Sequence, residues 1–115
     1  MAFNETNHTG EFLLSEGNGY FSRETVTIAS EAGAMVSGTV LGKVTATGEY
    51  RAYDNADSPA GVGTAAAVLY TAVDDKTVDQ KAVVIARHAE VAEDRLTGLD
   101  ANARTDLLAL GIIVR

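Results

Sequence analysis

Two nearly unbroken apolar runs, residues 65–73 and 82–86, stand on either side of a short stretch that holds Asp74, Asp75 and Asp79. Runs that are apolar at every residue, not at alternate ones, belong to strands covered on both faces. Ala65, Ala66 and Ala67 could begin a helix, but Val68, Tyr70, Val73, Val83, Val84 and Ile85 favour strand. The spacing predicts two central strands joined by an acidic turn that charge keeps in solvent. With 115 residues the chain can bury one core and is too short to split into two domains.

The rest of the chain is punctuated in the same β-rich manner. Thr25, Val26, Thr27 and Ile28 alternate polar and apolar side chains, the period of a half-buried strand, and Gly33 and Gly38 bracket a turn region. Residues 39–47 read as a further strand in which Gly42 permits a bulge or a close backbone approach. Gly48 then turns the chain into residues 50–53, which predicts a hairpin. Residues 54–63 collect Asn55, Asp57, Ser58, Pro59, Gly61 and Gly63 and are expected to form an exposed loop. Near the end, Leu99, Ala103, Leu107 and Leu110 recur at helical spacing, with Asp100 placed as N-cap and Gly111 at the C-terminal cap. Ile112, Ile113 and Val114 follow as a terminal strand, tucked into the core or an interface.

Ahead of this domain lies a stretch that cannot build a core. Phe3, Phe12, Leu13 and Leu14 are scattered among Gly, Asn, Glu, Thr and Ser, and the domain is expected to start near Arg23. We read residues 1–21 as an extended, flexible arm and residues 22–115 as the folded domain. Glu11 to Ser15 put three large apolar side chains together with nothing local to bury them, a patch that calls for a partner. Arms of this kind bind by adding a strand to the edge of another sheet.

Composition removes several function classes. Nine basic against sixteen acidic residues give a net charge of −7, which opposes binding to nucleic acid phosphates. The chain has no cysteine, hence no disulfide, thiolate nucleophile or thiolate metal site. No run of apolar residues is long enough for a membrane span, and the first residues lack the pattern of a secretory leader, so a soluble protein is expected. Of the two histidines, His8 falls in the arm and His88 at a strand end, and neither has a nameable catalytic partner. Ser15, Ser22, Ser30, Ser37 and Ser58 lack a nucleophile-elbow context. The aspartates at 54, 57, 74, 75 and 79 fit no calcium-loop spacing, and Gly61-Val62-Gly63 lacks the rest of a phosphate loop. No catalytic, cofactor or metal residue is expected, and no small-molecule substrate. One competing reading remains: Asp75-Lys76 in a turn between apolar strands resembles the tip of lipoyl-carrier domains, which would make the protein a small β carrier or ligand-binding domain modified at Lys76.

Taken jointly, six blocks resemble the head decoration protein family of tailed bacteriophages, the family of phage lambda's protein D. They are Gly10-Glu11-Phe12-Leu13-Leu14-Ser15-Glu16, Ser22-Arg23-Glu24-Thr25-Val26-Thr27-Ile28, Gly38-Thr39-Val40-Leu41-Gly42-Lys43-Val44, Ala66-Ala67-Val68-Leu69-Tyr70, Val83-Val84-Ile85-Ala86-Arg87 and Leu110-Gly111-Ile112-Ile113-Val114-Arg115. The resemblance implies a mainly β, β-clip-like domain with one short helix, assembled as a homotrimer on the outer surface of the expanded capsid at three-fold positions. It implies a structural, non-enzymatic role in the virion, reinforcing the shell against packaged DNA, with synthesis in the bacterial cytoplasm. The major capsid protein and two further copies of the chain are the expected partners. On this reading Glu11, Phe12, Leu13, Leu14 and Ser15 contact the capsid, with Tyr20 and Phe21 where arm meets domain. Ile112, Ile113 and Val114 are the candidate trimer interface.

Overall fold

The computed structural model describes residues 8–17, 22–30, 32–57, 60–74 and 78–115. The two apolar runs supply β5 (Ala65–Leu69) and β6 (Gln80–Ile85), which pair antiparallel with Val68 opposite Ile85 and Leu69 opposite Val84. Their continuous apolarity has a specific cause. Ala67, Leu69, Ala82 and Val84 pack into one core with Val26, Ile28 and Leu41, while Ala65, Val68 and Ile85 pack into a second with Phe12, Val91, Leu107 and Ile112. β5 is covered on both faces, and on β6 that cover reaches Val84 and Ile85 but leaves Lys81 exposed and Val83 half-buried.

Around this pair the chain closes a five-stranded barrel in the order β2 (Arg23–Ile28), β4 (Tyr50–Ala52), β3 (Val40–Lys43), β5, β6. β2 and β6 align along six residue pairs from Arg23 opposite Ile85 to Ile28 opposite Gln80. Closure on the other side rests on one parallel pair, Ile28 with Tyr50. Between β3 and β5 the register slips by one residue after Leu41. That bulge turns Ala65 from the first core to the second. Gly42 is where the slip occurs, and a Cβ there would lie 2.5 Å from the Cα of Val62, so backbone passes directly over it. Here the loop of residues 54–63 departs from expectation. Most of it is exposed, but Val62 is buried, and the Asp54 and Thr45 N–H groups donate to the Val62 and Ala60 carbonyls at 3.0 and 2.9 Å.

A second, three-stranded sheet covers the outside of the barrel in the order β1 (Leu13–Glu16), β7 (Ala89–Val91), β8 (Ile112–Val114). β7 and β8 run parallel, joined through a 3-10 turn (Glu93–Arg95) and α1 (Ala101–Ala109), because parallel neighbours need a crossover. The helix starts where the sequence places it: the Asp100 carboxylate accepts the Ala103 N–H at 2.7 Å, and Gly111, at φ +82°, follows the C-cap Leu110. Ala103 and Leu107 enter the second core, and the Asp106 carboxylate accepts the Ala65 N–H at 3.0 Å, tying α1 to β5. The mainly β fold with one short C-terminal helix is thus as the sequence implies, and the final strand Ile112–Val114 completes a sheet.

Tyr53 joins the barrel to the helix cap. Its hydroxyl donates to Asp100 at 2.9 Å, and burial, reinforced by that carboxylate, pushes the phenol up to about 12. A phenol whose pKa is higher folded than unfolded contributes stability that is complete below its unfolded value of 10.0 and lost as pH rises toward about 12. Tyr53→Phe is therefore expected to lack this part of the alkaline loss, so that the difference in urea midpoint between wild type and variant narrows across that window. A constant difference would refute the assignment.

Candidate attachment surface

The N-terminal segment is where the sequence places function, and its described part, residues 8–17, is built into the domain. Gly10, at φ +73°, packs close against Tyr70, where a Cβ would stand 2.7 Å from Cε2. Its N–H donates to the buried Ser37 hydroxyl at 3.1 Å, and that hydroxyl donates to the Tyr70 carbonyl at 2.8 Å. Two residues on, Phe12 is fully buried, edge-on to Tyr70 with ring centroids 6.5 Å apart. The Phe12 carbonyl accepts the Ala92 N–H at 2.7 Å, and β1 then pairs antiparallel with β7. At the exit the Gly17 N–H donates to the Ser22 hydroxyl at 2.8 Å, which donates to the His88 carbonyl at 2.7 Å.

Charge fixes the same segment. Arg23 grips Glu16 through two hydrogen bonds of 3.0 and 2.8 Å and stacks 4.2 Å over the Tyr70 ring. The bond to Glu16 holds the guanidinium above its ordinary pKa. Arg95 reaches Glu11 at 3.5 Å. A bidentate, partly shielded pair with an aromatic floor is worth more than an exposed single contact.

The premise that residues 11–15 have nothing local to bury them is corrected by this geometry. β7, three residues long and unmarked by any turn signal of its own, supplies an edge for β1, and the second core takes Phe12 fully and Leu13 in part. β1 therefore lies ahead of the boundary expected at residues 21 and 22, yet pairs within the domain. Of the three apolar side chains only Leu14 points out, 54% exposed. The register explains it: Leu13 faces Val91 and Ser15 faces Glu90, leaving Leu14 as the extra residue of a bulge, so Leu14 and Ser15 both face solvent. Tyr20, Phe21 and Lys76 lie outside the described residues.

The candidate trimer residues divide in the same way. Ile112 is fully buried, Val114 is half-buried, and Ile113 is 46% exposed on the outer face. The register puts Ile113 opposite Glu90, so the outer face reads Leu14 and Ser15 on β1, Glu90 on β7, Ile113 on β8. Two groups singled out from sequence for separate contacts thus share one sheet face. Between them is a shallow depression lined by Ser15, Glu16, Gly17, His88, Glu90 and Ile113. Sequence reasoning passed over Glu90 and Arg115, which matter here: the Glu90 carboxylate accepts the Ser15 hydroxyl at 2.8 Å and pairs with Arg115 at 2.9 Å. No short-range spacing signals such a pair; only the parallel β7–β8 register does.

Among the described residues no group of three or more His, Cys, Asp or Glu is arranged to hold a metal ion. The Asp79 carboxylate accepts the Ser30 N–H at 2.8 Å and bonds to Glu49, which raises the Glu49 pKa and lowers that of Asp79, with Asp79 exposed and Glu49 half-buried.

The family model described as Bacteriophage lambda head decoration protein D matches residues 2–112. No curated protein matches the chain. The match includes β1, in keeping with a strand that belongs to the domain. Phe12→Ala would remove the side chain that pins it, and is expected to cost about 3–5 kcal/mol in chemical denaturation, as for other fully buried phenylalanines. A loss below about 1 kcal/mol would show that Phe12 is not part of the folded core.

Proposed function

This chain belongs to the family of the bacteriophage lambda head decoration protein D, and from that premise we propose that it is a homotrimer that binds the outer surface of the expanded phage head at three-fold positions and stabilises it against packaged DNA. The observation that carries the reading is the match across nearly the whole chain, residues 2–112. Membership places the protein with structural components of the phage head. We read the barrel and its flanking sheet as the β-clip-like domain the resemblance implies.

The N-terminal segment is the proposed head-binding region, with Glu11, Phe12, Leu13, Leu14 and Ser15 on or beside β1 and Tyr20 and Phe21 in the residues that follow. The major capsid protein is the proposed partner, and the subunits of the trimer are proposed to meet along β8. There Ile113 and Val114 supply side chains, while the buried Ile112 supports the strand from within. A three-fold ring brings three such segments to one junction. Once the first engages, the others bind at high effective concentration, and modest contacts sum to firm attachment. The reading assigns the protein no catalytic role, and Asp100, Glu16, Glu24 and Glu93 serve the fold as a helix cap and as ion-pair partners.

Two measurements test the reading. Sedimentation of the purified protein is expected to give the mass of three chains, and electron microscopy of undecorated expanded heads mixed with it is expected to show added density at three-fold positions. A monomer in solution together with bare heads would overturn it.

A further inference from the structure

We propose that Glu49 and Asp79 form an acid-closed latch on the β2–β4 seam of the barrel: the seam is fastened while the pair holds one proton and slackens when both carboxylates are charged. The inference goes beyond decoration and does not rest on it, since it concerns how the barrel itself is held shut.

The topology puts this pair where it can act. Three strand ends meet at one corner, where β2 ends at Ile28, β4 begins at Tyr50 and β6 begins at Gln80. β6 is joined to β2 along six residue pairs, whereas β4 is joined to β2 by the single pair Ile28 with Tyr50 and by the Ala29 N–H, which donates to the Tyr50 carbonyl at 3.0 Å. Asp79 stands one residue ahead of β6, and its carboxylate accepts the N–H of Ser30, just past β2, at 2.8 Å. Glu49 stands one residue ahead of β4, and its side chain bonds to that same carboxylate. The pair therefore bridges from the well-fastened β2 and β6 to the weakly fastened β4. The backbone of Glu49 is itself tied into the β3–β4 hairpin: its carbonyl accepts the Val44 N–H at 2.8 Å, and its N–H donates to the Thr47 hydroxyl at 3.3 Å. Attraction or repulsion at its carboxyl group is thus passed on to β4.

Two carboxyl groups can bond to each other only while one of them carries a proton, with the protonated group donating and the ionised one accepting. When both are ionised the donor is lost and like charges face each other. The surroundings assign the roles. The bond from Glu49, the Ser30 N–H and the charge of Lys81 all favour ionised Asp79 and lower its pKa. The bond to Asp79, then desolvation and the negative charge of Asp79, raise that of Glu49. A raised carboxyl group contributes stability that is complete below its unfolded value of 4.5 and lost as pH rises through the folded value. The lowered Asp79 contributes stability that is present above its unfolded value of 3.8 and lost as pH falls through the folded value. Between those limits the pair holds one proton and the latch is closed; toward neutral pH it opens.

Other charged groups surround the corner. Lys81 on β6 donates to the Thr27 hydroxyl on β2 at 2.7 Å, and Lys43 on β3 lies 6.0 Å from the Tyr50 ring centroid. Glu24 and Arg87, paired with each other at 2.7 Å, are the charges that act on Tyr50. Glu31, Asp75 and Lys76 lie outside the described residues.

Amide hydrogen exchange, corrected for the intrinsic rate at each pH, reads the seam directly. In the native chain the protection of the Ala29 amide, relative to the β2–β6 ladder, is expected to fall by about threefold or more from about pH 4 to about pH 7. Glu49→Gln leaves a neutral donor beside Asp79 at either pH and is expected to keep the acid level of protection throughout. An Ala29 amide whose relative protection does not change with pH, or a Glu49→Gln chain that loses protection as the native chain does, would overturn the latch. Neither outcome touches the decoration reading, which is decided on heads.

Discussion

Burial on both sides of the β5 and β6 pair is the constraint from which the rest of the structure hangs. Leu69 and Val84 close the barrel core, and Val68 and Ile85 floor the second core that α1, β7, β8 and Phe12 complete. A chain of 115 residues has little interior to divide, and sharing one wall between two cores lets short strands of small side chains do the work of two sheets. Each core also holds the other in register, because a slip of one residue on β5 would exchange their side chains. The bulge after Leu41 shows the exchange happening once, under control, to deliver Ala65 to the second core.

The acidic side chains divide their roles by length. Aspartates turn back on the backbone: Asp57 accepts the N–H groups of Gly61 and Gly63, Asp54 that of Ala56, Asp100 that of Ala103 and Asp106 that of Ala65. Glutamates, one methylene longer, reach across strands to arginines. Most of these aspartates satisfy donors of their own loop or helix end, while Asp106 and the glutamates tie elements distant in sequence.

What could be read from the residues follows the range of the interaction that encodes it. The apolar runs, the alternation at Thr25 to Ile28, the close approach at Gly42 and the capped helix from Asp100 to Gly111 are local signals, and each is realised. The block Glu11 to Ser15 was legible as special but not in its meaning. Its partner strand β7 is three residues long, and the pairing spans more than seventy positions, so nothing near Phe12 announces that Val91 and Ile112 wait for it. The division between a buried Phe12 and an outward Leu14 depends on a bulge, which is a property of two strands together. Family resemblance could say that the segment matters; only packing says which side chain is spent inside.

The barrel is unevenly fastened. β2 meets β6 along six pairs but meets β4 at one, Ile28 with Tyr50, helped by the Ala29 N–H donating to the Tyr50 carbonyl at 3.0 Å. Such a cylinder has a zip along one line. Tension applied between the two halves would part it there first, letting the wall flex open and reseal while the long β2–β6 seam and both cores keep their places. A seam of that kind lets the barrel yield along one line without coming apart.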